Sequence, residues 1–130
     1  MTQFQRIERP RVAVTRKLLP QIEARMAELF DCRFNADDHP MSADEIVELM
    51  QDADILVPTV TDRIDADLIA KATASLKMFA NFGAGVNHID LAAAKAKGIL
   101  VTNTPGVFTD DTADLTMALM FDVLNPYDPV

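Results

Sequence analysis

The chain has 130 residues, 49% of them hydrophobic and 25% charged, which fits one globular domain with a substantial core and leaves no room for a second. A net charge of −8 provides no basic surface to displace counterions, so nucleic acid is excluded as a partner. No apolar run approaches the roughly 18 residues of a membrane-spanning helix, so no membrane partner is expected either.

The first residues reach charge at Arg6 without the apolar stretch of a signal peptide. The single cysteine, Cys32, cannot form an internal disulfide. Both features lead to the expectation of a cytoplasmic protein. Phe30 and Phe34 flank Cys32 and mark it as a small buried hydrophobe rather than a reactive thiol.

Taken in order, short β-branched or apolar runs alternate with helical patterns. Residues 12–15 (VAVT) read as a strand. Pro20 suits the first turn of a helix whose Leu19, Ile22, Met26 and Leu29 share one face, predicted to turn inward. Residues 32–34 form a second strand. Ser42 followed by Glu45 is a capping box opening a helix with Ile46, Leu49 and Met50 inward. Residues 55–57 are a third strand, and Asp65 caps a helix over 66–72. Residues 76–80 are a fourth strand, a helix of about 90–97 ends at Gly98, and residues 99–102 are a fifth strand. Several of these strands are apolar without alternation, as strands buried on both faces are. The pattern predicts a single α/β domain, a flavodoxin-like doubly wound five-stranded parallel sheet, with ligands expected at the carboxyl ends of its strands.

Residues 110–124 depart from this pattern. Leu115, Met117, Leu119, Met120, Phe121, Val123 and Leu124 place apolar side chains around nearly the whole helix. A surface helix of a small domain carries one apolar stripe, so this one is expected to be covered from outside the domain. The division expected is a substrate-side domain over 1–109, an apolar helix over 110–124 and an extended tail over 125–130, where Pro126 and Pro129 stop any helix.

Two segments can carry chemistry. Residues 81–90 (NFGAGVNHID) follow the fourth strand, and their glycines let a ligand approach backbone N–H groups closely. Read on residues alone, this is either a ligand turn or a tight structural one. As a dinucleotide fingerprint it fails, because the third glycine position holds His88. Residues 103–115 (NTPGVFTDDTADL) pass from strand to helix, and Thr109, Asp110 and Asp111 serve as caps. Two carboxylates there would repel a phosphate.

The string TDRID at 61–65, Leu76-Lys77, residues 81–90, Lys97-Gly98-Ile99 and NTPGVFTDDTADL, in this order and spacing, resemble the D-2-hydroxyacid dehydrogenases, nearest the glyoxylate/hydroxypyruvate reductase group. Residues 1–53 resemble it in strand and helix pattern only. The resemblance implies that Ala84 and Gly85 receive a substrate carboxylate on backbone N–H groups, Ala84 standing where Val is commoner. It implies that Thr59 and Val60 line the substrate pocket, and that Phe108 and Thr112 face the cofactor, NAD or NADP, across a cleft. The substrate implied is a small 2-oxo acid such as glyoxylate or hydroxypyruvate. The family's catalytic histidine belongs to its other domain, so His88 is expected to be structural and His39 a surface residue; no catalytic residue and no metal ligand is assigned here. A complete GxGxxG turn and an Arg–Glu–His set cannot be placed on a chain whose four glycines are 83, 85, 98 and 106. The expectations are therefore that the nucleotide domain is absent, that no cofactor binds this chain, that it is inactive alone, and that it dimerises through helix 110–124. The alternative is a stand-alone carboxylate-binding or dimerisation module. A receiver-like domain is disfavoured by strand ends lacking a phospho-acceptor Asp, and an FMN-binding one by residues 15–18 (TRKL), which lack a phosphate loop.

Overall fold

The computed structural model describes residues 9–124. Its elements alternate: β1 (Arg11–Val14), α1 (Pro20–Leu29), β2 (Asp31–Arg33), α2 (Ala43–Asp52), β3 (Ile55–Val57), α3 (Ala66–Ala70), β4 (Met78–Ala80), α4 (Leu91–Ala96), β5 (Leu100–Thr102) and α5 (Thr109–Leu124). The strands form one parallel sheet in the order β2-β1-β3-β4-β5. This is the five-stranded, doubly wound α/β domain expected. The tail 125–130 lies outside the described residues.

Side chains alternate across the central strands and split the core in two. Ala13, Leu56 and Phe79 face α2, α3 and α4, where Ile46, Leu49, Met50, Leu68, Ile69 and Ala94 complete the larger cluster. Val12, Val14 and Val57 face the other way, toward Leu18, Met26, Phe30 and Phe34. Cys32 packs half-buried against this smaller cluster, and burial pushes its thiol pKa up. The capping box forms as expected: Glu45 N–H donates to Ser42 Oγ at 3.4 Å and Ser42 N–H to Glu45 Oε2 at 2.7 Å.

Helix α1 departs from expectation. None of its residues is buried, and Leu19, Ile22 and Leu29 are exposed. Leu19 is the N-cap, its carbonyl accepting from the N–H groups of Ile22 and Glu23, and Leu18 takes the inward position instead. The smaller face of the sheet offers α1 only a narrow contact, which Met26 fills. Other boundaries shift by one or two residues, as helix and strand ends commonly do: Asp90 caps α4, and Gly98 follows it with φ of 71°.

Candidate functional site

The carboxyl ends of β1, β3 and β4 converge at one edge of the sheet. Beyond the strands the ladder continues, Thr15 N–H donating to Val57 O at 3.2 Å and Phe82 N–H to Pro58 O at 2.9 Å. The chain then turns sharply at residues 59–62, closed by a bond from Asp62 N–H to Thr59 O at 3.0 Å. Asp62 is buried and ties this turn down: its Oδ2 accepts from Thr59 N–H at 2.7 Å, from Thr59 Oγ1 at 3.3 Å and from Thr15 Oγ1 at 2.5 Å. A carboxylate so enclosed is tolerable only because donors surround it. Val60, at the tip, stands exposed and leans over the glycine turn. A Cβ at Gly83 would lie 2.9 Å from Val60 Cγ1, so any larger residue there would push the Val60 side chain aside.

The glycine turn has a sidedness. Gly83 O accepts from Asn81 Nδ2 at 3.1 Å and from Thr104 N–H at 3.0 Å. Ala84 O accepts from Asn103 Nδ2 at 2.7 Å, and Gly85 O from Asn81 Nδ2 at 2.9 Å. All three carbonyls are engaged, whereas the N–H groups of Ala84 and Gly85 donate to no protein acceptor among the described residues. Both residues are exposed, and a Cβ on Gly85 would meet nothing within 4 Å. Successive backbone N–H groups left open in a turn form a concavity suited to an anion. The structure thus brings Thr59, Val60, Ala84 and Gly85 together.

His88 is turned inward, its Nε2 3.0 Å from Asn81 Oδ1. Asn81 presents both its N–H groups to carbonyls, so its Oδ1 is the acceptor and His88 Nε2 carries the proton. Burial lowers the His88 pKa, against the opposing charge of Asp62, and favours the neutral ring. Its geometry is that of a structural residue. His39 lies elsewhere on the surface between Asp37 (2.8 Å) and Glu45 (3.0 Å).

Phe108 and Thr112 stand across a groove of about 570 Å³ from Ala84, continued by Thr116 and Met117 of α5. All of this wall is exposed and mostly apolar. Asp110 and Asp111 occupy the first turn of α5 and disfavour a phosphate there. No group of metal-ligating side chains occurs among the described residues.

The family model for the D-isomer specific 2-hydroxyacid dehydrogenase, catalytic domain, matches residues 12–120. The chain belongs to this family. A glyoxylate reductase of Korarchaeum cryptofilum is 39% identical over 86% of the chain and 33% of its own length. A glyoxylate reductase of Aeropyrum pernix is 37% identical over 88% of the chain and 34% of its own length. The crystal structure of a D-isomer specific 2-hydroxyacid dehydrogenase from Polaromonas sp. JS6 66 superposes with a TM-score of 0.78 at 34% identity, covering 87% of the chain and 35% of that protein. A glyoxylate/hydroxypyruvate reductase from Sinorhizobium meliloti, solved with NADP and malonate, gives 0.69 at 30% identity, covering 88% and 34%. The chain therefore spans about a third of the length of the curated relatives it matches.

The residues that build the site include four given no role in the sequence reading: Thr15, Asp62, Asn81 and Asn103. Asn81 had a usable signal. A polar residue directly after a buried strand stays buried only if its side chain is bonded.

Proposed function

We propose that this chain forms the substrate side of a glyoxylate-reductase-like D-2-hydroxyacid dehydrogenase and receives the carboxylate of a small 2-oxo acid on the N–H groups of Ala84 and Gly85. The observation that carries this is the sidedness of the turn: its three carbonyls are engaged while these two N–H groups remain open. Thr59 and Val60 would limit the size of the acid from the neighbouring loop. Names of relatives favour glyoxylate or hydroxypyruvate as the substrate class.

In the family's reaction a nicotinamide dinucleotide supplies hydride to the keto carbon. Phe108 and Thr112 fit one wall of a cleft for it, but nothing beside them fits its phosphates, so no chemical step is assigned to this chain through that group. Its part is to bind and orient. His88, engaged with Asn81, is no proton donor to the open face. The 130 residues are accordingly expected to turn over neither glyoxylate nor hydroxypyruvate with NADH or NADPH, and to bind neither dinucleotide measurably. Nicotinamide fluorescence and absorbance assays test both statements.

Carboxylate binding is tested by titrating oxalate into isotope-labelled chain and following amide resonances. Without a guanidinium partner worth roughly 1.5–3 kcal/mol, the affinity should be roughly millimolar or weaker, with shifts confined to residues 83–88 and 59–60. Shifts elsewhere with these residues silent would refute the site.

As part of the same reading, α5 pairs with α5 of a second copy, and the protein is cytoplasmic. The support for pairing is the exposure of Leu115, Met117, Leu119, Met120, Val123 and Leu124. Each such side chain covered contributes roughly 1.5–3 kcal/mol, and a twofold contact covers the same patch on both copies. No helix among the described residues is long and apolar enough to cross a membrane.

A further inference from the structure

We infer that Asn81 is the positioning residue of the carboxylate-receiving turn, its side-chain amide rotating the peptide planes so that successive N–H groups face outward. The inference rests on the reading of the turn given under Proposed function.

A trans peptide points its C=O and the following N–H in opposite directions. Whatever draws in the carbonyl of residue 83 therefore turns out the N–H of residue 84. Asn81 Nδ2 draws in the carbonyls of Gly83 (3.1 Å) and Gly85 (2.9 Å), which turns out the N–H groups of Ala84 and Val86. Asn103 Nδ2 draws in the carbonyl between them, that of Ala84, at 2.7 Å, and so turns out Gly85 N–H. Three consecutive N–H groups are oriented by two side-chain amides; Asn81 acts on two of them, sharing the Gly83 carbonyl with Thr104 N–H (3.0 Å) and, among the described residues, holding that of Gly85 by itself.

Asn81 is itself fixed. It is 2% exposed, its N–H donates to Thr102 O at 3.0 Å, and its carbonyl accepts from Gly83 N–H at 3.0 Å. His88 Nε2 donates to its Oδ1 at 3.0 Å. A flipped amide would set oxygen against two carbonyl oxygens and nitrogen against an N–H, so only one orientation satisfies the set. A carboxylate in its place has no hydrogen to give Gly83 and Gly85. Asn81→Asp, nearly unchanged in size, therefore isolates orientation of the turn from packing.

The test uses the labelled chain and oxalate. Wild type is expected to show shifts at residues 83–86 on titration. Asn81→Asp at neutral pH is expected to keep the amide dispersion of Leu56 and Phe79, to displace the free-state resonances of residues 84–86, and to weaken oxalate at least about tenfold. Lowering the pH until the introduced carboxyl protonates restores a donor, so the variant-to-wild-type affinity ratio should recover in part; a merely structural lesion would not recover on protonation. His88→Ala and Asn103→Ala are each expected to weaken oxalate about threefold while displacing the same resonances, and they decide the matter if Asn81→Asp does not fold. Binding by Asn81→Asp within about twofold of wild type would overturn the inference, as would unchanged binding in both alanine variants. A wild type whose turn resonances ignore oxalate would sink the site reading itself, a different result from a wild type that binds and an Asn81→Asp chain that binds equally well.

Discussion

Helices α2 and α5 draw on similar apolar residues and end in opposite situations. In α2, Ile46, Leu49 and Met50 lie on one stripe and are 2%, 4% and 0% exposed. In α5 no residue is buried, and Leu119, on a helix apolar nearly all round, is 58% exposed. Their starts differ as well. α2 opens on a reciprocal capping box with His39 bonded to Glu45, whereas α5 opens on Thr109, Asp110 and Asp111 beside the exposed groove lined by Phe108 and Thr112. One helix is stabilised by its own domain. The other keeps its large apolar side chains exposed and has no residue buried by the domain, in a chain that covers a third of its relatives' length.

The same substitution in each helix gives the sharpest contrast. Leu49→Ala should cost about 2–5 kcal/mol at any protein concentration, because it opens a cavity against Leu56 and Phe79's side of the sheet. Leu119→Ala should cost less than about 0.5 kcal/mol in dilute solution, where nothing covers it. Denaturant melts read by circular dichroism measure both. At concentrations where chains pair, Leu119→Ala should also lower the melting midpoint, which in wild type should rise with concentration. Sedimentation equilibrium at micromolar concentration should show a wild-type dimer and a monomeric Leu119→Asp, Met120→Asp variant. A monomeric wild type whose α5 is ordered would remove the case for pairing.

A smaller effect probes the two helix starts. Ser42→Ala should destabilise the fold by about 1 kcal/mol, because it removes the acceptor for Glu45 N–H and the partner of Glu45 Oε2. Thr109→Ala at the head of α5 should change stability less than this, since α5 contributes little to the cooperative unit, and hydrogen exchange along 109–124 should be much faster than along 43–52.

What could be read from the sequence follows the range of the forces involved. The capping box, Asp65 and Gly98 were legible because each acts within a few residues of itself. The sheet was legible because buried parallel strands have few other ways to be apolar throughout. The inward face assigned to α1 was wrong in detail. Periodicity gives a stripe but not how much sheet lies beneath it, and the β1–β2 side supports Met26 and Leu18 rather than Leu19, Ile22 and Leu29. The glycines located the turn and the resemblance suggested a role for it, yet neither showed how it is built: Asp62 meets Thr15 from 47 positions away, and Asn81 bonds carbonyls that any residue would carry. Backbone partners leave no trace in residue identity.

The smallest expected effect is the pH dependence of the α2 start. Ser42 N–H, then Ser42 Oγ, then His39 hold the Glu45 carboxyl at about 2, well below its ordinary 4.5. A depressed carboxyl stabilises the fold fully above its unfolded pKa, and that contribution is lost as pH falls from about 4.5 toward about 2, where the native state must take up the proton. His39 moves in the opposite direction. Asp37, then Glu45, raise it above 6.5, so its contribution is complete below that value and lost as pH rises through the higher folded pKa. The pair therefore favours the fold most between about 4.5 and 6.5. Asp38, held at about 2 first by its bond to Arg16, adds an acid-side dependence of its own, so the useful quantity is the difference between variant and wild type. Glu45→Gln should flatten the melting-temperature profile between pH 2 and pH 4.5 and bring the His39 titration closer to 6.5, followed by imidazole proton shifts. His39→Asn should leave most of the acid limb in place and abolish the decline on the alkaline side. All these groups are solvent-facing, so the shifts should shrink with added salt. A profile for Glu45→Gln that parallels wild type through the acid range would mean that the capping box holds α2 by geometry alone, with no part played by the charge at its start.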